Sequence, residues 1–79
     1  MGNKCKTYDL ICDNVEYYML IRNITSNELA TSLNVKESVI DKILKHEYTR
    51  LFTLKLAYDM SKVFEITMQE LFTFNVKSE

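Results

Sequence analysis

Proline is absent from this 79-residue chain, and glycine occurs once, as Gly2. These two residues punctuate turns and strand ends. Their scarcity argues against a sheet of short strands and for helices joined by Asn, Ser and Thr turns. Cysteine is limited to Cys5 and Cys12, and histidine to His46. No C-x-x-C pair and no Cys/His quartet can be assembled, so no structural zinc is expected and no metal site is assigned. Nothing nearby in the chain would depress a thiol pKa, which sets aside thiol catalysis. No apolar run approaches the roughly 18 residues that span a bilayer, and no secretory leader is legible behind Met1. A cytoplasmic protein with reduced thiols and no membrane partner is the expectation. Gly-rich phosphate loops, Ser/His/Asp sets and paired-carboxylate clefts are missing too, so neither enzyme activity nor a cofactor is expected.

An excess of one charge is also lacking: 10 Lys and Arg face 11 Asp and Glu, for a net charge of −1. The distribution is less even than the sum. Residues 36–50 carry Lys36, Lys42, Lys45 and Arg50 against Glu37, Asp41 and Glu47, a net +1 in one short stretch. The length suffices for one core and no more. Nearly half the residues are hydrophobic and about a quarter charged, an ordinary globular balance.

Along the chain, residues 1–9 are polar, with Lys4 and Lys6, and open an N-terminal arm whose boundary is set at residue 13. Apolar residues recur at helical spacing from Leu10 through Ile11, Val15, Tyr18, Met19 and Ile21, with Asn14 as an N-cap if the helix starts late. That helix ends near Asn23, a residue that tolerates the left-handed conformation. Thr25-Ser-Asn-Glu28 is a capping box, opening a short helix with Leu29, Ala30 and Leu33 on one face. Asn34 is a turn residue and Val35 an apolar plug. A third helix, about Lys36 to Lys45, puts Val39, Ile40, Ile43 and Leu44 inward and leaves its charged residues outward. His46–Arg50 reads as an exposed loop. A fourth helix, about Thr53 to Phe64, is expected to face Leu54, Ala57, Tyr58, Ser61 and Phe64 inward. Thr67-Met-Gln-Glu70 caps a fifth, whose Leu71 closes the core. Phe72, Phe74 and Val76 alternate with polar residues, as a short C-terminal strand would.

The stretch Ile24-Thr-Ser-Asn-Glu-Leu-Ala-Thr-Ser-Leu-Asn-Val35 resembles the second helix and turn of the Cro and lambda-repressor (Xre-type) family, whose pattern there is L-T-Q-E-E-L-A-x-x-L-G-V. Ser38-Val-Ile40 and Ile43 are similar to that family's recognition helix. Met60-Ser-Lys-Val-Phe64 with Ile66-Thr-Met-Gln-Glu-Leu-Phe72 resembles its closing helices. The resemblance implies an all-α, five-helix lambda-repressor-like domain over residues 14–72, with the helix-turn-helix at 25–45 and a tail at 73–79. It implies a small sequence-specific regulator, repressor-like, that places helix 36–45 in the major groove of double-stranded DNA.

The expected DNA-facing set is Ser26, Lys36, Glu37, Ser38, Asp41 and Lys42, with Lys45, Tyr48 and Arg50 near the backbone. Several positions depart from the family. Ser26 stands where a glutamine is usual, and Lys36 where a capping serine is usual. Glu37 and Asp41 form an acidic pair on the reading face, which either accepts from cytosine N4 or is local: Asp41 paired with Lys45 and Glu37 on the positive helix end. Lys4 and Lys6 either form an arm for an adjacent groove or are an idle basic terminus. A homodimer through Phe72, Phe74 and Val76 is expected, because one such unit covers little DNA; the same tail folded onto its own core is the alternative. A second functional class, a protein-binding module using the partly acidic outer face, stays open beside the DNA-binding one.

Overall fold

The computed structural model describes residues 6–73. Five helices follow one another: α1 (Lys6–Ile21), α2 (Ser26–Leu33), α3 (Glu37–Leu44), α4 (Leu54–Phe64) and α5 (Met68–Thr73). No strand occurs among the described residues. The all-helical class follows from the missing turn breakers and the 3.6-residue periodicity of the apolar residues.

Helix starts are set by side chains. Thr25 Oγ1 accepts the Glu28 N–H at 3.1 Å while Glu28 Oε1 accepts the Thr25 N–H at 2.9 Å, completing the first capping box. Thr67 and Glu70 repeat it at 3.0 and 3.1 Å. Thr53 caps α4 through the Leu56 amide. Each such cap is worth about 1 kcal/mol.

Helix ends share one solution. Asn23, Asn34, His46 and Glu65 follow α1, α2, α3 and α4 with φ of 57°, 60°, 63° and 61°. Each N–H bonds back three residues, to Leu20, Thr31, Ile43 and Lys62. The next N–H bonds back five: Ile24 to Met19, Val35 to Ala30, Glu47 to Lys42 and Ile66 to Ser61, at 2.8–3.0 Å. This is the Schellman turn, usually built on glycine. A chain without an internal glycine fills it twice with Asn and twice with costlier residues.

The core is continuous across all five helices. Phe64, Leu29, Ile40, Ile43, Met60, Leu71 and Val15 are fully buried, each worth about 1.5–3 kcal/mol against leaving it exposed. α2 packs on α3 and α4, and α1 on α3 and α5. Ala30 is buried in α2, the helix that packs against both α3 and α4. At the far edge, the buried Asn14 donates Nδ2–H to the Leu71 carbonyl at 2.8 Å, joining α1 to α5.

Five expectations change. Residues 6–13 of the expected arm are helical, because Tyr8, Ile11, Cys12 and Val15 continue the apolar stripe one turn at a time; Ile11, Cys12 and Val15 are buried. Asn14 is therefore inside α1 and caps nothing. The buried face of α4 is rotated: Leu56 and Met60 join Ala57, Ser61 and Phe64 inward, while Leu54 and Tyr58 are exposed. Ile21, counted with the apolar stripe of α1, is also exposed. Phe72 belongs to α5 rather than to a strand and packs against its own core. Lys4, Cys5, Phe74 and Val76 lie outside the described residues.

Candidate nucleic-acid interface

α2, the Asn34 turn and α3 form the helix-turn-helix. Its inner wedge is Leu29, Ala30, Leu33, Val39, Ile40 and Ile43, all buried. Val35, half-buried at the turn, packs on the same core. With one face of α3 spent on that wedge, the opposite face is free for other contacts. Ser38, Asp41, Lys42 and Lys45 follow the i, i+3, i+4, i+7 rule and so share one stripe. All four are exposed, as are Lys36 and Glu37 at the helix start.

Charge along this stripe is ordered. Lys36 stands at the N-cap and supplies no side-chain cap. Glu37 and Asp41 follow within the helix, and Lys42, Lys45 and Arg50 gather toward and beyond its C-terminal end. Cations therefore bracket the acidic pair. Among the described residues no ion pair joins Asp41 to Lys45, the local pairing that was one of the two readings of Asp41. Ser26 is half-buried at the first position of α2.

The loop after α3 is fastened to α1. His46, expected to be an exposed loop residue, instead sits between two carboxylates: Nδ1 is 3.0 Å from Asp9 Oδ1 and Nε2 is 3.1 Å from Asp13 Oδ1. The three side chains are 24%, 32% and 18% exposed, so the cluster is partly shielded from solvent. One residue before Asp9 on α1, the Tyr8 hydroxyl donates to the Glu47 carbonyl at 2.8 Å. Burial, with the Cys12 side chain alongside, pushes the Tyr8 phenol above its usual range, so it remains a donor. The Tyr8 ring meets Tyr48 and Phe52 edge-on, with centroids 6.0 and 5.4 Å apart. Tyr48 and Arg50 are thereby presented beside the C-terminal end of α3, both exposed.

Reading residues 1–13 as an arm hid this fastening. The available signal was Asp9 and Asp13 at i, i+4, which share one side of a helix once α1 is extended to Lys6. Among the described residues no group of three or more His, Cys, Asp or Glu is arranged to hold a metal ion. No described helix is long and apolar enough to cross a membrane.

No family model matches the chain, and no solved structure matches it. It is similar to a curated protein of Methanocaldococcus jannaschii described as an uncharacterized HTH-type transcriptional regulator. The two are 31% identical over 62 residues, which is 78% of this chain and 91% of that protein. The matched length exceeds the helix-turn-helix itself, so the likeness includes helices that merely support it. Sequence likeness and the α2–turn–α3 geometry agree, and the chain belongs to the helix-turn-helix transcriptional regulators.

Proposed function

We propose that this protein is a sequence-specific, repressor-like DNA-binding regulator of the Cro and lambda-repressor type, with α3 as its reading helix. The observation that carries the reading is the exposed stripe Ser38, Asp41, Lys42 and Lys45 on a helix whose other face is locked into the core. Bracketing cations suit a helix lying in a groove, where its two ends approach the phosphate backbones and its middle approaches base edges. Lys36, Lys42, Lys45 and Arg50 then serve phosphates, with Ser26 and Tyr48 as uncharged backbone contacts. Glu37, Ser38 and Asp41 face bases, and the unpaired Asp41 accepts from cytosine N4.

α3 is eight residues, about 12 Å long at ~1.5 Å per residue, enough for one half-site. Two copies on half-sites about 34–36 Å apart supply the rest of the affinity. Phe72 packs on its own core, so pairing is assigned to Phe74 and Val76. Light scattering on wild type and Phe74→Asp tests this part; a monomeric mass for both would end it.

The principal test is binding to duplexes selected from a random-sequence pool, measured across salt. Affinity should fall with a log–log slope near −0.9 per neutralised phosphate. Lys42→Ala should weaken every duplex alike and reduce the slope by about one, while Ser38→Ala and Asp41→Ala shift sequence preference. Failure to retain any duplex at low salt would refute the reading and favour the protein-docking alternative, which Glu37 and Asp41 would carry.

A further inference from the structure

Three of the four Schellman turns are completed by an apolar residue one step past the left-handed position: Ile24, Val35 and Ile66, each packed against the core. That apolar contact is the usual companion of the motif. The fourth turn, at the end of the reading helix, has exposed Glu47 there instead. What holds it down is polar and comes from α1: Asp9 and Asp13 on His46, and the Tyr8 hydroxyl on the Glu47 carbonyl.

Carboxylates only accept hydrogen bonds. A neutral imidazole donates from one ring nitrogen, and an imidazolium from both. With Asp9 at one nitrogen and Asp13 at the other, both contacts are hydrogen bonds only in the protonated ring. Titratable and charged groups near it are Tyr8, Asp9, Cys12 and Asp13 of α1, Asp41, Lys42 and Lys45 of α3 and its cap, and Glu47, Tyr48 and Arg50 of the loop. The two groups in contact with its ring nitrogens are the anions Asp9 and Asp13.

We propose that His46 is a positioning residue for DNA binding, a proton-dependent clamp that fixes the end of the reading helix and its following loop on α1. Protonation completes the clamp and sets Lys45, Tyr48 and Arg50 for the backbone; loss of the proton releases one carboxylate and loosens the loop. Coupling to DNA rests on the regulator reading above, while the clamp itself does not. His46 is the sole histidine, so a variant without it has no imidazole left to take up a proton.

The experiment uses fluorescence anisotropy on a random-sequence duplex pool at about pH 6 and about pH 8, at constant ionic strength. Wild type is compared with His46→Asn, which keeps the tolerance for a left-handed backbone, and with the double variant Asp9→Asn/Asp13→Asn. Wild-type affinity should fall about three- to tenfold from the lower pH to the higher, with charge-assisted hydrogen bonds discounted for partial exposure. Both variants should be flat. A fall retained in the double variant would mean that the His46 charge acts directly on DNA, overturning the positioning role; equal falls in wild type and His46→Asn would also overturn it. Thermal unfolding without DNA separates the clamp from the regulator reading. Wild type should exceed His46→Asn in Tm at about pH 6, and the gap should close toward about pH 8. A pH-independent gap would overturn the clamp even if DNA binds. A closing gap with no duplex retained at either pH would refute DNA binding and the coupling together.

Discussion

Replacing Glu65 by glycine should make the domain more stable, although it removes a side chain. Glu65 follows α4 at φ 61° and ψ 43°, a conformation that costs a residue with a Cβ about 1–2 kcal/mol. Glycine removes that cost but gives back roughly 0.5–1 kcal/mol of extra unfolded-chain entropy. The carboxylate also sits at the negative end of α4, an unfavourable place worth a few tenths of a kcal/mol when exposed at low salt. Among the described residues its side chain makes no hydrogen bond or ion pair that the change would break. The Arg22 Nε–H bond to the Phe64 carbonyl goes to backbone and survives. The balance is about +1 kcal/mol, or roughly 4–8 °C in Tm for a domain of this size. Urea unfolding of Glu65→Gly, Glu65→Asn and Glu65→Gln would resolve the parts. Gln should recover only the charge contribution, which high salt erases, and Asn should fall between Gln and Gly. Asn34→Gly at the matching turn of α2 should gain less, because Asn already tolerates the left-handed region. A less stable Glu65→Gly, or an equal gain at Asn34→Gly, would refute the strain account.

Two further changes probe the packing that presents α3. Ala30→Leu adds three carbons at a buried position of α2 and should cost about 1–3 kcal/mol by overpacking, seen as a lower urea midpoint; unchanged stability would mean the packing there is loose. Asn14→Ala leaves the Leu71 carbonyl without its donor and should cost about 1–3 kcal/mol on the same assay, with a neutral result showing that the buried amide is dispensable.

Much of this architecture is local and was legible for that reason. Thr25 with Glu28 and Thr67 with Glu70 are pairs three residues apart, and Asn34 acts through its own backbone, so the sequence places them without any tertiary knowledge. The missed features are contacts between distant segments. His46 meets Asp9 and Asp13 from more than thirty residues away, and no periodicity within the loop announces partners there. The start of α1 was hidden because Thr7, Asp9 and Asp13 look like arm residues until Tyr8, Cys12 and Val15 are counted as one stripe. On α4, an apolar letter at Leu54 and an aromatic one at Tyr58 pulled the expected inward face round the helix. The Tyr58 ring instead lies under Lys62 Nζ at 4.7 Å, on the outside.

Helix α5 has six residues, no more than half the roughly 12–15 below which an isolated helix is marginal in water. It exists on borrowed terms: Leu71 set in the core and one carbonyl held by the Asn14 amide of α1. The domain therefore has a detachable edge. α5 can leave as a cooperative unit at a smaller free-energy cost than global unfolding, and amide hydrogen exchange there should run ahead of exchange in α2 and α3. The helix-turn-helix would stay folded through such an event while the side of the core closed by Leu71 meets water. Motion at the C-terminal edge and fastening of the α3 end are thus separable, although α1 touches both the Leu71 carbonyl and His46.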